Sequence, residues 1–123
     1  MPASRDPQLL KGVLPLVLLR LLAERESYGY EVVQRLDGVG LGDVLEGTVY
    51  PALARLERER RLTSRLVASE SGPARKYYRL TPAGYEALTA GTASWTELAD
   101  VVGAVLRPAV PASPVLAGPA RGA

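Results

Sequence analysis

The sequence predicts a mainly α-helical fold with a small β-hairpin and a long C-terminal helix. Apolar residues recur at helical spacing along most of the chain, and two short β-prone runs near its middle are joined by strong turn residues. A heptad-like apolar series follows the second of these runs. For a chain of 123 residues we expect one compact domain with a modest core, to which a partner subunit would add stability.

Composition limits the chemistry that this chain can perform. It has no cysteine and no histidine, which excludes disulfides, thiol chemistry and the usual zinc-ligand sets. Its carboxylates are scattered singly, and it has neither a glycine-rich phosphate loop nor a nucleophile motif. We therefore predict a protein that is not an enzyme and that uses no metal and no cofactor. The alternative of a small carboxylate enzyme would require clustered acidic residues in a pocket.

The chain begins with a polar arm and continues into a strongly apolar helix. Residues 1–8 contain two prolines and predict a flexible arm. From Leu9 to Leu22 the apolar residues leave no polar face, which indicates a helix covered on more than one side. A signal peptide is the alternative, but Arg20 interrupts the run and no small-x-small cleavage site follows. The run is too short and too charged to span a bilayer, so we expect a cytoplasmic protein.

A second helix and a glycine-rich turn come next. Val32, Val33 and Leu36 have the spacing of an amphipathic helix, and Ser27 is a candidate N-terminal cap. Three glycines between positions 38 and 42 end that helix and form a loop. A further helix follows, which gives the order of a helix-turn-helix, although any helical hairpin produces the same pattern.

The stretch 46–61 predicts a short, strongly basic amphipathic helix. Three apolar residues recur at i, i+4 and i+7 and form a face that must be buried, namely Val49, Leu53 and Leu56. The other faces offer hydroxyl, phenol and guanidinium groups that suit phosphates and base edges, carried by Thr48, Tyr50, Arg55 and Arg58. The alternative is a surface helix whose arginines are only solvated.

Pro51 predicts where this basic helix starts. Proline has no N–H and is harmless only in the first helical turn, so the helix is expected to begin near Gly47 or Thr48. Tyr50 would then lie at the helix start, where free N–H groups and partial positive charge hold a backbone phosphate. Between positions 55 and 79, eight basic residues accompany three acidic ones, a net charge of +5 that concentrates positive charge in this segment.

The runs 62–67 and 76–80 predict a β-hairpin, because they are β-prone and the residues between them at 70–74 favour turns. Alternate residues of the second run take opposite faces, with Tyr78 and Leu80 on one and Tyr77 and Arg79 on the other. Arg75 and Lys76 lie beside the hairpin tip. A basic hairpin directly after a basic helix is typical of a wing, which contacts the sugar–phosphate backbone or enters the minor groove.

Four stretches resemble the PadR family of winged helix-turn-helix transcriptional regulators, and the resemblance covers about residues 9–106. They are Leu10-Lys11-Gly12-Val13-Leu14, Tyr28-Gly29-Tyr30-Glu31, Glu46-Gly47-Thr48-Val49-Tyr50-Pro51-Ala52-Leu53-Ala54-Arg55-Leu56-Glu57 and Arg75-Lys76-Tyr77-Tyr78-Arg79-Leu80-Thr81. The third, combined with the fourth at this spacing, is highly specific. The C-terminal region is a single short helix and is similar to that of the smaller PadR subgroup. Leu45 stands where the family often has a polar helix cap.

The resemblance implies a homodimeric repressor that binds an inverted-repeat operator in double-stranded DNA. The helix from Gly47 would lie in the major groove, with the wing alongside. Family members often release DNA when a small planar or aromatic molecule binds. Within a winged helix-turn-helix domain at 9–80, we expect DNA contacts from Tyr30, Thr48, Tyr50, Pro51, Arg55, Arg58, Arg75, Lys76 and Tyr77.

Residues 81–106 predict a C-terminal dimerisation helix. Thr81 and Pro82 open it as cap and first-turn proline. Its apolar seam repeats at alternating spacings of three and four residues and outruns the small domain, which favours a second copy over packing against the Leu9–Leu22 helix. The residues assigned to dimerisation are Tyr85, Leu88, Trp95, Leu98, Val102 and Leu106. Residues 107–123 contain four prolines without a periodic pattern and predict a disordered tail.

Trp95 lies in the middle of this seam, between the small residues Thr92 and Ala99. A seam aromatic is usually core, but two Trp95 side chains across a two-fold axis would leave an apolar space in which a planar aromatic inducer can stack. The predicted function is therefore a ligand-responsive, sequence-specific DNA-binding regulator. The alternative is a dimer of the same fold that binds a ligand or a protein, with DNA binding weak or lost.

Overall fold

The computed structural model describes residues 6–108, which form four helices and three strands. The helices are α1 (Pro7–Glu24), α2 (Gly29–Gly38), α3 (Glu46–Arg58) and α4 (Pro82–Leu106). The strands are β1 (Ser27–Tyr28), β2 (Leu62–Val67) and β3 (Arg75–Leu80). The predicted fold class is confirmed, because α2 and α3 form the helix-turn-helix and β2 and β3 form the wing. The dimerisation role of α4 stays a prediction.

Helix α1 begins earlier than the sequence predicts. The Asp6 carboxylate accepts a hydrogen bond from the Gln8 N–H at 2.9 Å, and Pro7 takes the first helical position, where its missing N–H costs nothing. Residues 7 and 8 are therefore helical, and the prediction of a flexible arm over 1–8 is wrong for them. The remainder of that arm, residues 1–5, lies outside the described residues, as do residues 109–123 of the predicted tail.

The sheet has three strands in the order β1-β3-β2, one strand more than the predicted hairpin. Strand β1 pairs antiparallel with β3 through Ser27 opposite Tyr78 and Tyr28 opposite Tyr77. Ser27 is therefore a fully buried strand residue, and the prediction that it caps α2 is wrong. Its hydroxyl accepts a hydrogen bond from Arg35 at 3.0 Å. The predicted wing hairpin is present, with β3 beginning one residue earlier, at Arg75, and its register runs from Leu62 opposite Leu80 to Val67 opposite Arg75.

Helix α3 begins at Glu46 and ends at Arg58, so both predicted ends require correction. Pro51 lies inside the helix rather than in its first turn, and Tyr50 is its fifth residue, beyond the first turn in which it was predicted. At the other end, Arg60 has a positive φ of 63°. The Arg60 N–H donates to the Glu57 carbonyl at 2.9 Å and the Arg61 N–H to the Leu56 carbonyl at 3.0 Å. This Schellman turn ends the helix three residues before the predicted position.

The core lies between the helices and one face of the sheet. Its buried apolar residues come from every helix up to α3, from the loop before α3 and from the wing: Leu14, Leu18, Leu19, Leu21, Leu22, Val32, Leu36, Val44, Val49, Leu53, Leu56, Leu62, Tyr78 and Leu80. The predicted burial of one face of α3 is thereby confirmed. That of α1 is confirmed from Leu14 to Leu22 and is wrong for Leu9, which is 75% exposed. Within residues 6–108, no helix combines the length and the apolar content needed to cross a membrane.

The structure divides into two compact units, one up to Thr92 and one from Ala93 onward, and helix α4 contributes residues to both. In the first unit, the Thr81 hydroxyl caps α4 as predicted, accepting from the Gly84 N–H at 3.0 Å and donating to the Arg60 carbonyl at 2.6 Å. Leu88 is half-buried against the core of its own chain. Part of that side chain therefore packs within the chain, and its assignment to the dimer seam stays a prediction.

Candidate nucleic-acid interface

A cleft of about 240 Å³ joins four of the side chains that the sequence assigns to DNA contact. Tyr30 from α2, Tyr50 from α3, and Arg75 and Lys76 from the wing all line it, together with Tyr28, Gly29 and Tyr78. Both Tyr30 and Tyr50 are about half exposed, at 49% and 43%. Two phenols and two cations from three different elements therefore meet at one concave surface.

Gly29 explains how Tyr50 reaches this cleft. A Cβ atom at position 29 would collide with the Tyr50 ring, so the ring lies directly against the first residue of α2. Partial burial raises the pKa of the Tyr50 phenol, and the neighbouring Glu46 carboxylate adds to this shift. The phenol is therefore protonated at neutral pH and can donate a hydrogen bond to a phosphate oxygen.

Tyr28 is a cleft residue that the sequence interpretation missed. The Arg75 guanidinium carbon lies 4.5 Å from the centroid of the Tyr28 ring, and Tyr77 meets the same ring edge-on at 5.2 Å between centroids. Stacking orients Arg75, and no carboxylate among residues 6–108 forms an ion pair with it, so its charge is available to an anion. The Tyr-Gly-Tyr motif at residues 28–30 is the sequence feature from which a role for Tyr28 could have been predicted.

Helix α3 presents three different surfaces because it turns once every 3.6 residues. Gly47, Pro51, Ala54 and Arg58 lie opposite the buried face. Tyr50 lies on the flank toward the wing, whereas Thr48 and Arg55 line a groove of about 660 Å³ against α1, together with Lys11 and Arg61. In that groove, the Arg55 guanidinium donates to the Glu59 carboxylate at 3.1 Å. Of the residues predicted on α3, Thr48, Pro51 and Arg55 thus line the groove, Tyr50 lines the cleft, and Arg58 lines neither. Gly47, which also lines the groove, and the half-buried Ala54 are small residues that the sequence interpretation did not assign to DNA contact.

Residues 18–90 of this chain match the family model of the transcriptional regulator PadR-like family. That match includes more than half of the chain. The chain belongs to the PadR family. The matched range contains α2, α3 and the whole wing, and therefore every residue assigned above to DNA contact.

Three relatives illustrate how far this PadR family likeness extends. A PadR-like transcriptional regulator from Bacillus cereus, with a solved crystal structure, is 39% identical, and the match covers 82% of this chain and 98% of that one with a TM-score of 0.72. A PadR family regulator from Eggerthella lenta is 36% identical, with coverage of 82% and 88% and a TM-score of 0.75. A transcriptional regulator from Mycobacterium tuberculosis is 38% identical over 92 residues, 75% of this chain and 84% of its own. The family and these relatives are regulators rather than enzymes, as predicted.

In this PadR family member, a carboxylate joins α3 to the wing. Glu57 accepts a hydrogen bond from the Ser64 hydroxyl on β2 at 2.6 Å and forms an ion pair with Lys76 on β3 at 3.1 Å. The Ser64 hydrogen bond is the main reason that the pKa of Glu57 is lowered, and Lys76 lowers it further. The Glu57 carboxylate in turn raises the pKa of Lys76. Lys76 is therefore charged and already paired, unlike Arg75.

The second unit of this PadR family member carries exposed apolar side chains along α4. From Ala93 to the end of the helix, the large apolar residues that remain exposed are Trp95, Leu98, Val101, Val102, Val105 and Leu106. Ala99 is half-buried. In the first unit, Tyr85 is exposed, and the Thr92 hydroxyl donates to the Leu88 carbonyl at 2.7 Å. Such a run of exposed apolar residues is larger than the scattered single ones that a monomer usually shows.

Proposed function

We propose that this regulator is a cytoplasmic repressor that binds double-stranded DNA as a homodimer at an inverted-repeat operator. The observation that carries the proposal is the cleft in which Tyr30, Tyr50, Arg75 and Lys76 converge. Cations and phenol donors gathered from a helix-turn-helix and its wing suit the backbone phosphates of a duplex. A module that only bound a ligand or a protein would have no need of this arrangement.

Helix α3 is the element proposed to enter the major groove. Its face opposite the core is made of Gly47, Pro51, Ala54 and Arg58, and the three small or compact residues allow the helix backbone to approach base edges closely. Arg58 has an exposed guanidinium at the end of that face. Thr48 and Arg55 flank the face on the α1 side, where they can read bases or hold phosphates.

The homodimer is proposed to form through α4. Six large apolar residues of its second part are exposed in the single chain, and a second copy of the same helix is a partner that would cover them. Two-fold symmetry would then place two recognition helices about 34 Å apart, one turn of DNA, so each reads one half of an inverted repeat.

An inducer site is proposed where the two Trp95 side chains face each other across the two-fold axis. Trp95 is 49% exposed in the single chain, so its indole has area to offer to a partner or to a planar ligand. A planar aromatic molecule bound between the indoles, beside Thr92 and Ala99, would change the relative angle of the two winged domains and release DNA. Quenching of Trp95 fluorescence, together with reduced DNA retention, is expected from at least one compound of a planar panel. If no compound changes either signal, Trp95 is only a dimer contact.

DNA binding is tested by substituting cations that have different surroundings. Arg58→Ala and Arg75→Ala should each weaken duplex binding and lower the slope of log affinity against log salt by about 0.9 for each lost phosphate contact. Arg20→Ala is the matched control, because it removes the same charge from α1, where Arg20 pairs with Glu24. Equal affinity and slope in all three folded variants would contradict DNA binding at this surface and favour the ligand- or protein-binding alternative.

A further inference from the structure

We propose that Glu57 is a positioning residue for sequence discrimination, which acts by holding the wing cation Lys76 against the recognition helix α3. The inference rests on the proposed DNA-binding function and extends it. It assigns a role to a carboxylate within a segment whose net charge is positive. That role is to fix the position of the Lys76 ammonium and to limit its electrostatic contribution to binding DNA of any sequence.

Both oxygens of the Glu57 carboxylate are occupied by the wing. Oε2 accepts from the Ser64 hydroxyl at 2.6 Å, and Oε1 lies 3.1 Å from the Lys76 ammonium. The Lys76 ammonium also lies 5.6 Å from the centroid of the Tyr78 ring, which packs in the core. Ser64 and Tyr78 are directly paired across β2 and β3. One side chain of α3 is thereby attached to both strands of the wing.

A carboxylate at this position works against general DNA affinity. It repels nearby phosphates and neutralises one cation of the wing. Glu59, two residues later, differs in this respect, because its contacts are with Arg55 and Arg61 and neither partner is on the wing. The energetic disadvantage of Glu57 is offset if the attached wing fits one arrangement of phosphates better than others, since specificity is a difference between affinities.

Binding to DNA of any sequence depends mainly on the number of free cations. With Glu57 in place, Lys76 contributes little to that number, because its ammonium is held by an opposite charge. Without the Glu57 carboxylate, Lys76 is free to follow any phosphate, because the ion pair that holds it against α3 is gone. Affinity for random duplex should then rise, while the advantage of the preferred sequence should fall.

The test uses the full chain, a duplex that the intact protein selects from a random pool, and a random duplex of equal length. Glu57→Gln should raise affinity for the random duplex, steepen its salt slope by about 0.9, and lower the ratio of selected to random affinity about tenfold. Glu86→Gln is the control, since it removes the same charge from the exposed surface of α4, away from α3 and the wing. It should leave the ratio of selected to random affinity unchanged.

A double-mutant cycle shows whether Glu57 acts through Lys76. In a Lys76→Ala background, Glu57→Gln should change the ratio of selected to random affinity no more than Glu86→Gln does. An unchanged ratio in Glu57→Gln, or the same loss with and without Lys76, would overturn the inference while leaving DNA binding intact. If the intact chain retained no duplex or had no sequence preference, the proposed function itself would fail, and the inference with it. Thermal unfolding of each variant separates these results from loss of the fold.

Discussion

At the scale of single residues, the interface depends on one glycine as much as on its cations. Tyr50 enters the cleft only because Gly29 has no side chain in the space that the ring occupies. The ring is the outer end of a flexible side chain, so it can rotate away instead of forcing the backbone apart. A substitution at Gly29 should therefore affect DNA contact more than folding.

We expect Gly29→Ala to lower duplex affinity about tenfold, similar to the effect of Tyr50→Ala, because the added Cβ displaces the ring from the cleft. The free energy of unfolding should fall by only about 1 kcal/mol. Gly38→Ala is the matched control, since Gly38 is the last residue of the same helix and open space surrounds it. Duplex affinity and thermal unfolding are measured for both variants. If Gly29→Ala bound duplex as tightly as Gly38→Ala, the proposed role of the Tyr50 ring in DNA contact would be contradicted.

At the scale of elements, ion pairs attach the wing to the segment before β1 as well as to α3. The Arg65 guanidinium on β2 donates to both oxygens of the Glu26 carboxylate, at 2.7 and 2.8 Å. The hydrogen bond from Arg65 is the main reason that the pKa of Glu26 is lowered, and the charges of Arg65 and Arg79 add to it. This fork-to-fork pair joins residues 39 positions apart in sequence.

The lowered pKa of Glu26 makes part of the stability dependent on pH. A carboxylate with a lower pKa in the folded state stabilises the protein above its unfolded pKa of about 4.3, and this contribution is lost as the pH falls through the folded value. The unfolding temperature of the intact chain should therefore fall more between pH 5 and pH 3 than that of Glu26→Gln. Glu86→Gln, on the surface of α4, is the control and should follow the intact chain. Parallel curves for all three proteins would show that the pair contributes nothing.

At the scale of the whole molecule, the proposed homodimer is the property on which recognition of an inverted repeat would depend. The exposed apolar residues of α4 from Ala93 onward are the surface proposed to form the dimer. Because the contact is two-fold, each substitution acts twice, once in each copy. A single polar replacement in this surface is therefore expected to have a large effect on the dimer.

Leu98→Glu should weaken the dimer at least a hundredfold, since burial of a leucine side chain contributes about 1.5–3 kcal/mol and two are lost. Asp100→Ala, in the same part of the helix, should leave the dimer unchanged. Sedimentation at micromolar concentration would separate the two variants. A monomeric intact chain, or a dimeric Leu98→Glu variant, would contradict an α4-mediated dimer. The monomer should also lose its preference for an inverted repeat over a single half-site.

The sequence by itself determined the helices, the hairpin and most of the basic surface, because those features rest on local periodicity. Val49, Leu53 and Leu56 form the buried face of α3 as predicted, and Tyr78 and Leu80 form the buried face of β3. Helical and strand spacings place such residues on one side whatever the rest of the chain does. The family likeness, which depends on the same local stretches, was also available from the sequence.

Tertiary structure alone decided which side chains meet and where the elements end. Strand β1 has only two residues and forms because β3 supplies its hydrogen-bonding partner. A segment this short shows no periodic pattern of apolar residues from which a strand could be predicted. Pro51 lies within α3 because packing of that helix on the core extends it to Glu46, against the local preference of proline. The attachment of Lys76 to Glu57 joins residues of different elements, and sequence separation carries no information about such a contact. Local patterns determine faces, whereas pairings between distant residues depend on the packed fold.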